Sequence, residues 1–381
     1  MFVNLKDFGF TQNEFIACQN LKTNKDTVNS VPGRIIEGRR EKFSVVCEYG
    51  EVPAELKGSF YHNLEEGDLF PVAGDFVLIN YNSTGSSLIT AVLPRRSEFS
   101  RVDFLGHAAG YVKNVREQVL ASNFDYVFIL SSLNFDLNLN RLARYLTASL
   151  QSGGFPVFIL TKADLCDNYM EKAAEVRKFA REVPVIPVSS KTGIGLDELA
   201  PFLEPAKTAV FLGSSGVGKS SLLNCLAGRQ LMEIKEIRED DSKGRHTTTH
   251  RQLFRISQDD SILSDGSQVM FPGALIIDTP GIREVGLWDS REGISLAFAN
   301  IEELFLKCRF SDCSHQTEPG CAVLAALDDG SLPPEQWKQY QAQRKETNFT
   351  INHSAYLRQK QEFHKAIARN NKARNKIEFG K

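Results

Sequence analysis

The chain has 381 residues, which predicts two or three domains, and its 42% hydrophobic and 24% charged residues are ordinary for globular proteins. Its formal net charge of -2 excludes a polycation, so any nucleic-acid contact must come from a local basic patch. The N-terminus lacks the pattern of a secretory signal, no apolar run reaches the roughly 18 residues that span a bilayer, and the cysteine number is odd. We therefore expect a cytoplasmic protein without membrane contact.

Short β-type runs follow a polar N-terminal extension, residues 1–30, for which the sequence predicts no regular structure. Turn residues separate four such runs: Phe43–Cys47, Ser59–Tyr61, Asp75–Ile79 and Leu88–Val92. Short strands at this spacing predict a small barrel or sandwich, and about 60 residues suits a five-stranded oligonucleotide-binding barrel. We assign an RNA-binding barrel of this kind (an OB-fold) to residues 31–98, with a linker at 94–97.

From Phe124 onward, apolar strands alternate with helical segments, a pattern typical of a parallel sheet covered on both faces. Strands are predicted at Tyr126–Leu130, Phe155–Leu160, Val183–Val188, Thr208–Leu212 and Ala274–Ile277. Helices are predicted between them at Leu139–Leu150, Met170–Arg181 and Leu196–Phe202. The sequence therefore predicts an α/β domain over residues 99–290. A mainly helical domain with a basic tail should follow at 291–381.

Residues 213–220 carry the strongest motif, G-x-x-x-x-G-K-S, between a strand and a helical segment. Glycines let backbone N–H groups point at phosphates, Lys219 brings positive charge to the β- and γ-phosphates, and the Ser220 hydroxyl suits Mg²⁺. The predicted phosphate-binding residues are Gly213, Ser214, Ser215, Gly216, Val217, Gly218, Lys219, Ser220 and Ser221. A glycine-rich turn that only opens a helix is the plainer alternative, and the combination of strand, loop and Lys-Ser argues against it.

Two loops that follow predicted strands indicate a guanine-reading site. Residues Thr161, Lys162 and Asp164 form an N/T-K-x-D loop, in which the Asp carboxylate accepts from the N1–H and amine of guanine. Thr161 stands where Asn is commoner. The second loop, Ser189, Ser190 and Lys191, is similar to S-A-K, whose backbone contacts the guanine oxygen. Each alone is an ordinary polar loop, but two in tandem predict GTP and GDP as ligands.

The sequence after the P-loop supplies the remaining nucleotide contacts. Asp278, at the end of an apolar strand, is placed to reach Mg²⁺, and Gly281 can offer its N–H to a γ-phosphate. The polar residues 238–250 predict a switch loop, in which Thr248 is the expected Mg²⁺ ligand. The predicted Mg²⁺ set is therefore Ser220, Thr248 and Asp278.

The predicted catalytic residues lack the Gln that orients the attacking water in many GTPases. Many GTPases place a Gln directly after D-x-x-G to orient the attacking water, and Ile282 occupies that position here. Slow turnover is expected, with Lys219 and Thr248 stabilising the phosphoryl group. His246 is the candidate that replaces the Gln, and the alternative that it is only a loop residue stays open.

The order of these motifs predicts a circular permutation. Ordinary GTPases run from the P-loop through the switch threonine and D-x-x-G to the base-reading loops. Here the base-reading loops come first, and the switch and Asp278 follow the P-loop. The same site can form because strand ends stay neighbours when the connections between them change.

A cluster of three cysteines and one histidine lies beyond the α/β domain. Its members are Cys308, Cys313, His315 and Cys321. Four such ligands complete a tetrahedral zinc site and leave no position for an activated water, so we predict one structural Zn²⁺. Free thiols beside a surface histidine are the alternative.

The permuted order, the runs GRHTTTH and DTPGIRE and the Cys-Cys-His-Cys spacing resemble the small ribosomal subunit biogenesis GTPase A family. Asn123-Phe124-Asp125 before a strand and NLNRLARYL after it match the family as well. The resemblance implies an oligonucleotide-binding barrel, a permuted GTPase domain and a zinc domain. It also implies binding to the small ribosomal subunit and its rRNA late in maturation, with hydrolysis stimulated by that subunit. We expect a monomer.

Two other classes of function fit parts of the pattern. A metabolic P-loop kinase or ATPase would lack the guanine-reading loop, so Lys162 and Asp164 argue against it. A zinc-containing RNA-binding protein that uses GTP only as a structural or regulatory ligand is the second. The intact set of Lys219, Ser220, Thr248 and Asp278 argues against that class.

Overall fold

The computed structural model describes residues 3–22, 27–39, 42–58, 70–105, 114–134, 137–180, 182–232, 251–256, 271, 273–279, 290–349 and 351. The chain forms two compact units, Met1–Ser100 with Val119–Val285, and Arg101–Gln118 with Gly286–Lys381. Among the described helices, none combines the length and hydropathy needed to cross a bilayer.

A closed five-stranded barrel confirms the barrel predicted from the short β-type runs. Its strands are β1 (Val31–Arg39), β2 (Lys42–Cys47), β3 (Gly50–Leu56), β4 (Phe76–Asn80) and β5 (Ser87–Val92). They pair in the order β1-β2-β3-β5-β4, and β4 returns to pair with β1, which closes the barrel. Alternate side chains such as Ile35, Val45 and Ile79 fill its core. Strands β1 and β3 were not predicted, and the predicted run at residues 59–61 lies outside the described residues.

The described part of the N-terminal extension contains two helical segments, so the expectation of an irregular segment is wrong there. A 3-10 helix, Leu5–Phe8, precedes helix α1, Gln12–Leu21. A capping box starts α1, because Thr11 and Glu14 satisfy each other's backbone N–H groups. Cys18 on its inner face joins a buried cluster on the barrel that includes Phe76, Leu78 and Leu93.

The predicted α/β domain is present as well. After the separate pair β6 (Glu98–Leu105) and β7 (Asn114–Ser122) come β8 (Tyr126–Ser132), β9 (Phe155–Thr161), β10 (Val185–Pro187), β11 (Thr208–Leu212), β12 (Arg251–Arg255) and β13 (Leu275–Asp278). Helices α2 (Leu139–Gln151), α3 (Tyr169–Ala180) and α4 (Lys219–Ala227) and a 3-10 helix (Asp197–Phe202) connect them. The strands pair in the order β10-β9-β8-β11-β13-β12, and all but β12 are parallel.

The sheet does not stop at β12. Strand β12 also pairs antiparallel with β1, with Glu37 opposite Gln252 and Gly38 opposite Arg251. The α/β sheet and the barrel therefore share one continuous sheet of eleven strands. Because Gln252 also lies opposite Asp278, a single strand connects the barrel with the end of β13.

A fully buried cation fastens the barrel, the N-terminal segment and the α/β sheet together. The Arg34 guanidinium on β1 donates to the carbonyl oxygens of Phe8 (2.6 Å), Asn123 (2.7 Å) and Gly74 (3.1 Å) and to the Thr208 hydroxyl (3.0 Å). Burial lowers the pKa of Arg34 to about 9, which still leaves it charged at neutral pH. The Arg34 side chain thus donates hydrogen bonds to oxygen atoms in four different segments of the chain.

Replacing Arg34 by Met should destabilise the protein strongly. The apolar side chain removes every donor, so the Phe8 carbonyl oxygen and the Thr208 hydroxyl lose the hydrogen bond from Arg34. The carbonyl oxygens of Asn123 and Gly74 keep one other donor each, the side chains of Arg96 and Asn123. An acceptor left without a donor costs about 1–3 kcal/mol when it stays dry. We expect urea unfolding of the first unit to show a loss of several kcal/mol. Lys207→Met is the matched control, because Lys207 is half exposed and pairs with Asp125 at 3.3 Å. Equal, small losses in both variants would contradict this role of Arg34.

The second unit is mainly helical where it is described, as predicted. Helices α5 (Arg291–Ala297), α6 (Ala299–Phe305) and α7 (Ala322–Asp328) are followed by α8 at residues 334–349. Ile294, Phe298 and Ile301 are buried, and the Phe298 ring meets that of Tyr340 on α8 at 5.7 Å. The four metal-ligand candidates lie between α6 and α7.

Candidate functional site

The predicted nucleotide loops leave the same edge of the parallel sheet. The P-loop follows β11, the T-K-x-D loop follows β9, and Asp278 ends β13. Loops at the carboxyl ends of parallel strands meet there, and ligands of α/β proteins bind at this edge. The permuted order of the motifs does not alter that placement, because adjacency in the sheet sets it.

The P-loop adopts a backbone that only glycine takes without strain at two positions. Gly216 has φ +80° and Gly218 has φ +101°, and both lie in the left-handed region. A Cβ on Gly213 would come within 2.6 Å of the Leu130 carbonyl oxygen. At the start of α4, the Lys219 ammonium folds back onto the loop and donates to the carbonyl oxygens of Gly213 (2.8 Å) and Ser214 (2.9 Å). The glycine conformations fit a phosphate-binding loop, whose backbone N–H groups bind an anion, and two carbonyl oxygens hold the Lys219 ammonium against that loop.

Asp278 is a buried carboxylate whose charge is not balanced by hydrogen bonds. It is 1% exposed, and neither carboxylate oxygen has a hydrogen-bond partner in the described part of the chain. Burial raises the pKa of Asp278 to about 6. The nearby charge of Lys219 opposes this rise, as does the Thr279 N–H, although no hydrogen bond of ordinary geometry forms. Orphaned carboxylate oxygens beside a phosphate-binding loop fit a Mg²⁺ shell, in which carboxylate and hydroxyl oxygens and water are the usual ligands.

Thr161, which stands where Asn is commoner in the N/T-K-x-D motif, contacts the P-loop directly. Its hydroxyl is buried and donates to the Val217 carbonyl oxygen of the P-loop at 2.5 Å. Its neighbour Lys162, with φ +60°, donates through Nζ to the Gly216 carbonyl oxygen at 3.0 Å. The hydroxyl thus joins the base-reading loop to the P-loop without the amide of an Asn.

The two base-reading loops are joined directly. The Ser189 hydroxyl donates to Oδ1 of Asp164 at 2.7 Å and accepts from the backbone N–H groups of Lys191 (3.2 Å) and Thr192 (3.1 Å). This leaves Oδ2 of Asp164 as the acceptor available for a base. Thr192 and the Ser131 carbonyl oxygen, 3.5 Å from the Thr161 hydroxyl, were not predicted, because no motif letter marks them.

The other predicted nucleotide contacts fall in two groups. Ser215 and Lys191 are exposed and Ser190 is partly buried, all on the loops at this edge, and the partly buried Ser220 and Ser221 lie in the first turn of α4. His246, Thr248 and Gly281 lie outside the described residues, as does Ile282.

The predicted zinc ligands come together in the second unit. The ligand atoms of Cys308, Cys313, His315 and Cys321 all lie within 4.8 Å of one another. Nδ1 of His315 is 3.6 Å from the Cys308 sulfur and 3.5 Å from that of Cys321, and these two sulfurs are 4.0 Å apart. Zn–S bonds of about 2.3 Å and Zn–N bonds of about 2.0 Å in a tetrahedron give ligand separations of roughly 3.5–3.8 Å. The donor set and its spacing therefore fit Zn²⁺.

Residues around the cluster hold the ligands in place. The Phe305 ring stacks on the His315 imidazole at 4.2 Å, and His315 itself has φ +58°. The Glu318 carboxylate accepts from the backbone N–H groups of Ser314, Gln316 and Thr317, and hydrogen bonding from Ser314 and these amides holds the pKa of Glu318 far below its usual value. The sequence did not identify Phe305 or Glu318, although a Glu within a metal-binding loop is a signal that could have been used.

Comparison with known proteins places this arrangement among permuted GTPases. A family model described as RsgA GTPase matches residues 92–288. Small ribosomal subunit biogenesis GTPase RsgA 1 of Listeria innocua is 40% identical over 365 residues, 95% of each chain. The RsgA of Methanosarcina acetivorans is 40% identical over 319 residues, 83% of this chain and 81% of that one. The crystal structure of YjeQ from Thermotoga maritima aligns with a TM-score of 0.57 at 24% identity, over 84% of this chain and 98% of that chain.

Proposed function

This chain belongs to the RsgA GTPase family, and on that premise we propose that it hydrolyses GTP to GDP and phosphate as a late maturation factor of the small ribosomal subunit. The observation that carries the proposal is the joining of the base-reading loop to the P-loop through Thr161 and Lys162. This connection brings the loop that we propose reads guanine next to the loop that we propose binds the phosphates, which supports GTP as the ligand. A metabolic P-loop kinase or ATPase requires no guanine reader. The intact set of Lys219, Ser220, Thr248 and Asp278 argues against a protein that uses GTP only as a structural ligand.

The proposed site residues have separate roles in binding the nucleotide. Backbone N–H groups of the P-loop and Lys219 hold the β- and γ-phosphates, while Asp164 and the Ser189 loop read the base. Mg²⁺, when bound, neutralises charge on the phosphates. Ser220 and Asp278 would hold it together with Thr248, and Gly281 would offer its N–H to the γ-phosphate. Lys219 then stabilises the charge that develops on the transferring phosphoryl group.

Guanine specificity should depend on Asp164. In the variant Asp164→Asn the side chain presents an amide donor where guanine offers its own donors, so we expect weaker GTP binding and improved binding of xanthosine triphosphate. Competition binding of the two nucleotides measures the ratio. The exposed Asp167→Asn is the matched control, three residues along the chain. If both nucleotides lose affinity equally in Asp164→Asn, the carboxylate supports the loop rather than reading the base.

We propose that the small subunit and its rRNA are the partners and that they stimulate hydrolysis. The barrel and the basic tail carry the expected RNA contacts, because Lys and Arg outnumber Glu from Lys338 to the end of the chain. We further propose that the protein acts in the cytoplasm as a monomer with one structural Zn²⁺. GTP turnover measured with and without purified small subunits tests the proposal, and no increase at saturating subunit concentration would overturn the role of the partner.

The stimulated reaction should require His246. Ile282 cannot orient water, so we propose that subunit contact brings the His246 imidazole to the attacking water. In the variant His246→Ala, stimulation by small subunits should be lost while GTP affinity is retained. Pre-steady-state turnover and nucleotide binding, both measured with subunits present, separate these effects. Stimulation that survives the substitution would show that another group positions the water.

A further inference from the structure

An open depression of about 470 Å³ lies on the second unit beside the metal-ligand cluster. Aromatic side chains form one part of its lining, and a polar stripe of α8 forms the other. Phe305 and His315 belong to the surroundings of the metal-ligand cluster, and the lining residues on α8 from Tyr340 onward belong to the basic tail, for which only a general RNA contact is proposed above. The aromatic part and the polar part of the lining together indicate the chemical class of the ligand.

The aromatic part presents ring faces and edges. Trp337 and Tyr340 stack at 5.6 Å with an interplanar angle of 14°, and Phe305 meets Tyr340 edge-on at 5.7 Å. Tyr340 is buried and belongs to the core, whereas Phe305 and Trp337 stay partly exposed. The Trp337 ring lies 6.0 Å from the His315 ring, so the aromatic residues contact one of the four metal-ligand candidates. Partly exposed rings held from behind are suited to stacking on another flat ring.

The polar part lies along one face of α8. Gln341, Lys345 and Asn348 follow Trp337 at the spacing of neighbouring turns, and all three are exposed. Arg344 borders the same depression, where it pairs with Glu302 at 3.6 Å and lies over the Tyr340 ring at 5.8 Å. The stripe therefore offers two amides and the Lys345 ammonium, which pairs with no carboxylate among the described residues, next to the partly exposed indole.

We propose that this depression binds one unpaired nucleotide of RNA, with the base stacked on Trp337 and a phosphate beside Lys345. The Phe305 ring, which stands at 82° to the Trp337 ring, would meet the edge of that base. Every base has a π face, so stacking on aromatic rings tolerates sequence, and amides such as Gln341 and Asn348 can bond to base edges. An apolar peptide side chain would gain nothing from the amides and the ammonium. A phosphate alone would gain nothing from the rings.

The inference rests on the proposed function, since the rRNA of the small subunit is the RNA in question. It adds a specific contact to that function: a single-stranded or flipped-out nucleotide held by the zinc-bearing unit. Duplex RNA, whose bases are stacked on one another, cannot offer a free ring face. The depression therefore discriminates single-stranded from double-stranded RNA.

Tryptophan fluorescence of the full-length, zinc-loaded protein tests the contact directly. The chain has two tryptophans, so Trp288→Phe leaves Trp337 as the sole emitter. Titration with a short single-stranded oligoadenylate RNA should quench this emission, whereas the same length of duplex RNA should not. Equal quenching by both RNAs, or none by either at saturation, overturns the proposal. Quenching by whole small subunits but by no single-stranded RNA would assign the depression to a ribosomal protein and overturn it as well.

Substitutions at Trp337 give the second test. Trp337→Leu should weaken oligoadenylate binding about 5- to 150-fold, the range expected for one lost stacking contact, while Trp337→Phe retains most of it. Phe310→Leu is the matched control, because Phe310 is an exposed aromatic of the same unit outside the depression. Zinc content and thermal unfolding establish that each variant is folded. If Trp337→Leu fails that check, Lys345→Glu replaces it, with the same expected loss of RNA affinity.

The experiments distinguish a failure of the nucleotide site in the depression from a failure of the proposed ribosomal function. If small subunits stimulate GTP turnover and folded Trp337→Leu binds RNA like its parent, the depression is not a nucleotide site and the proposed function stands. If oligoadenylate quenches Trp337 but subunits neither bind nor stimulate, the nucleotide site stands and the ribosomal role does not.

Discussion

Removing the metal from the Cys308, Cys313, His315 and Cys321 cluster should unfold the helical part of the second unit. Helices α5, α6 and α7 have 7 residues each, and helices of that length are not stable without tertiary contacts. A Zn²⁺ ion at this cluster would join the chain after α6 to the start of α7, where the Cys321 sulfur accepts the Leu324 N–H at 3.5 Å. Zinc binding of about 10–16 kcal/mol in comparable small sites contributes directly to folding, so its loss exceeds the whole stability of such a unit.

The measurement compares zinc content and hydrogen exchange in matched variants. Cys313→Ser together with Cys321→Ser should abolish zinc binding and expose the amides of α7 and α8 to rapid exchange. Cys225→Ser, at a partly buried cysteine of the first unit, should leave both unchanged. Purified protein without stoichiometric zinc, or a double variant that keeps it, would refute the assignment.

Local patterns predicted the strands whose side chains are buried on both faces. Tyr126–Leu130 and Phe155–Leu160 are continuous apolar runs, and both form central strands of the sheet. Strand β3 escaped detection because Pro53 and exposed Glu residues interrupt its apolar positions. Helix α1 escaped as well, because its signal is the capping box at Thr11 and Glu14 rather than an apolar face, since Phe15 and Ile16 are exposed.

The sequence did not predict contacts between residues that are far apart in the chain. The motifs located the P-loop and the zinc ligands, because each is a short run whose chemistry follows from its residue types. Nothing in the run around Arg34 indicates that it will be buried against Thr208, since the two are far apart in the chain. The pairing of β1 with β12 is equally invisible, because strand partners are chosen by the folded topology.

Asp278→Asn should make the nucleotide-free protein more stable while impairing its reaction. Burial raises the pKa of Asp278 from 3.8 to about 6, so the folded state holds this proton more tightly than the unfolded chain does. The free energy of unfolding therefore falls as pH rises from 3.8 through 6, and above that range the charged carboxylate costs about 3 kcal/mol at most. Asparagine carries no charge and removes this cost.

The gain in stability of Asp278→Asn should appear at neutral pH and vanish below the unfolded pKa of 3.8, where the native aspartic acid is also neutral. Urea unfolding at the two pH values measures it, with the exposed Asp167→Asn as the control expected to show no change. With GTP the order should reverse. The buried carboxylate oxygens have no hydrogen-bond partner among the described residues, as expected of a group that binds a cation. The variant should therefore bind Mg²⁺ about 10- to 100-fold more weakly and hydrolyse GTP more slowly. A variant that is less stable than its parent at neutral pH, without nucleotide, would show that the Asp278 carboxylate is satisfied in the folded protein and is not held ready for a cation.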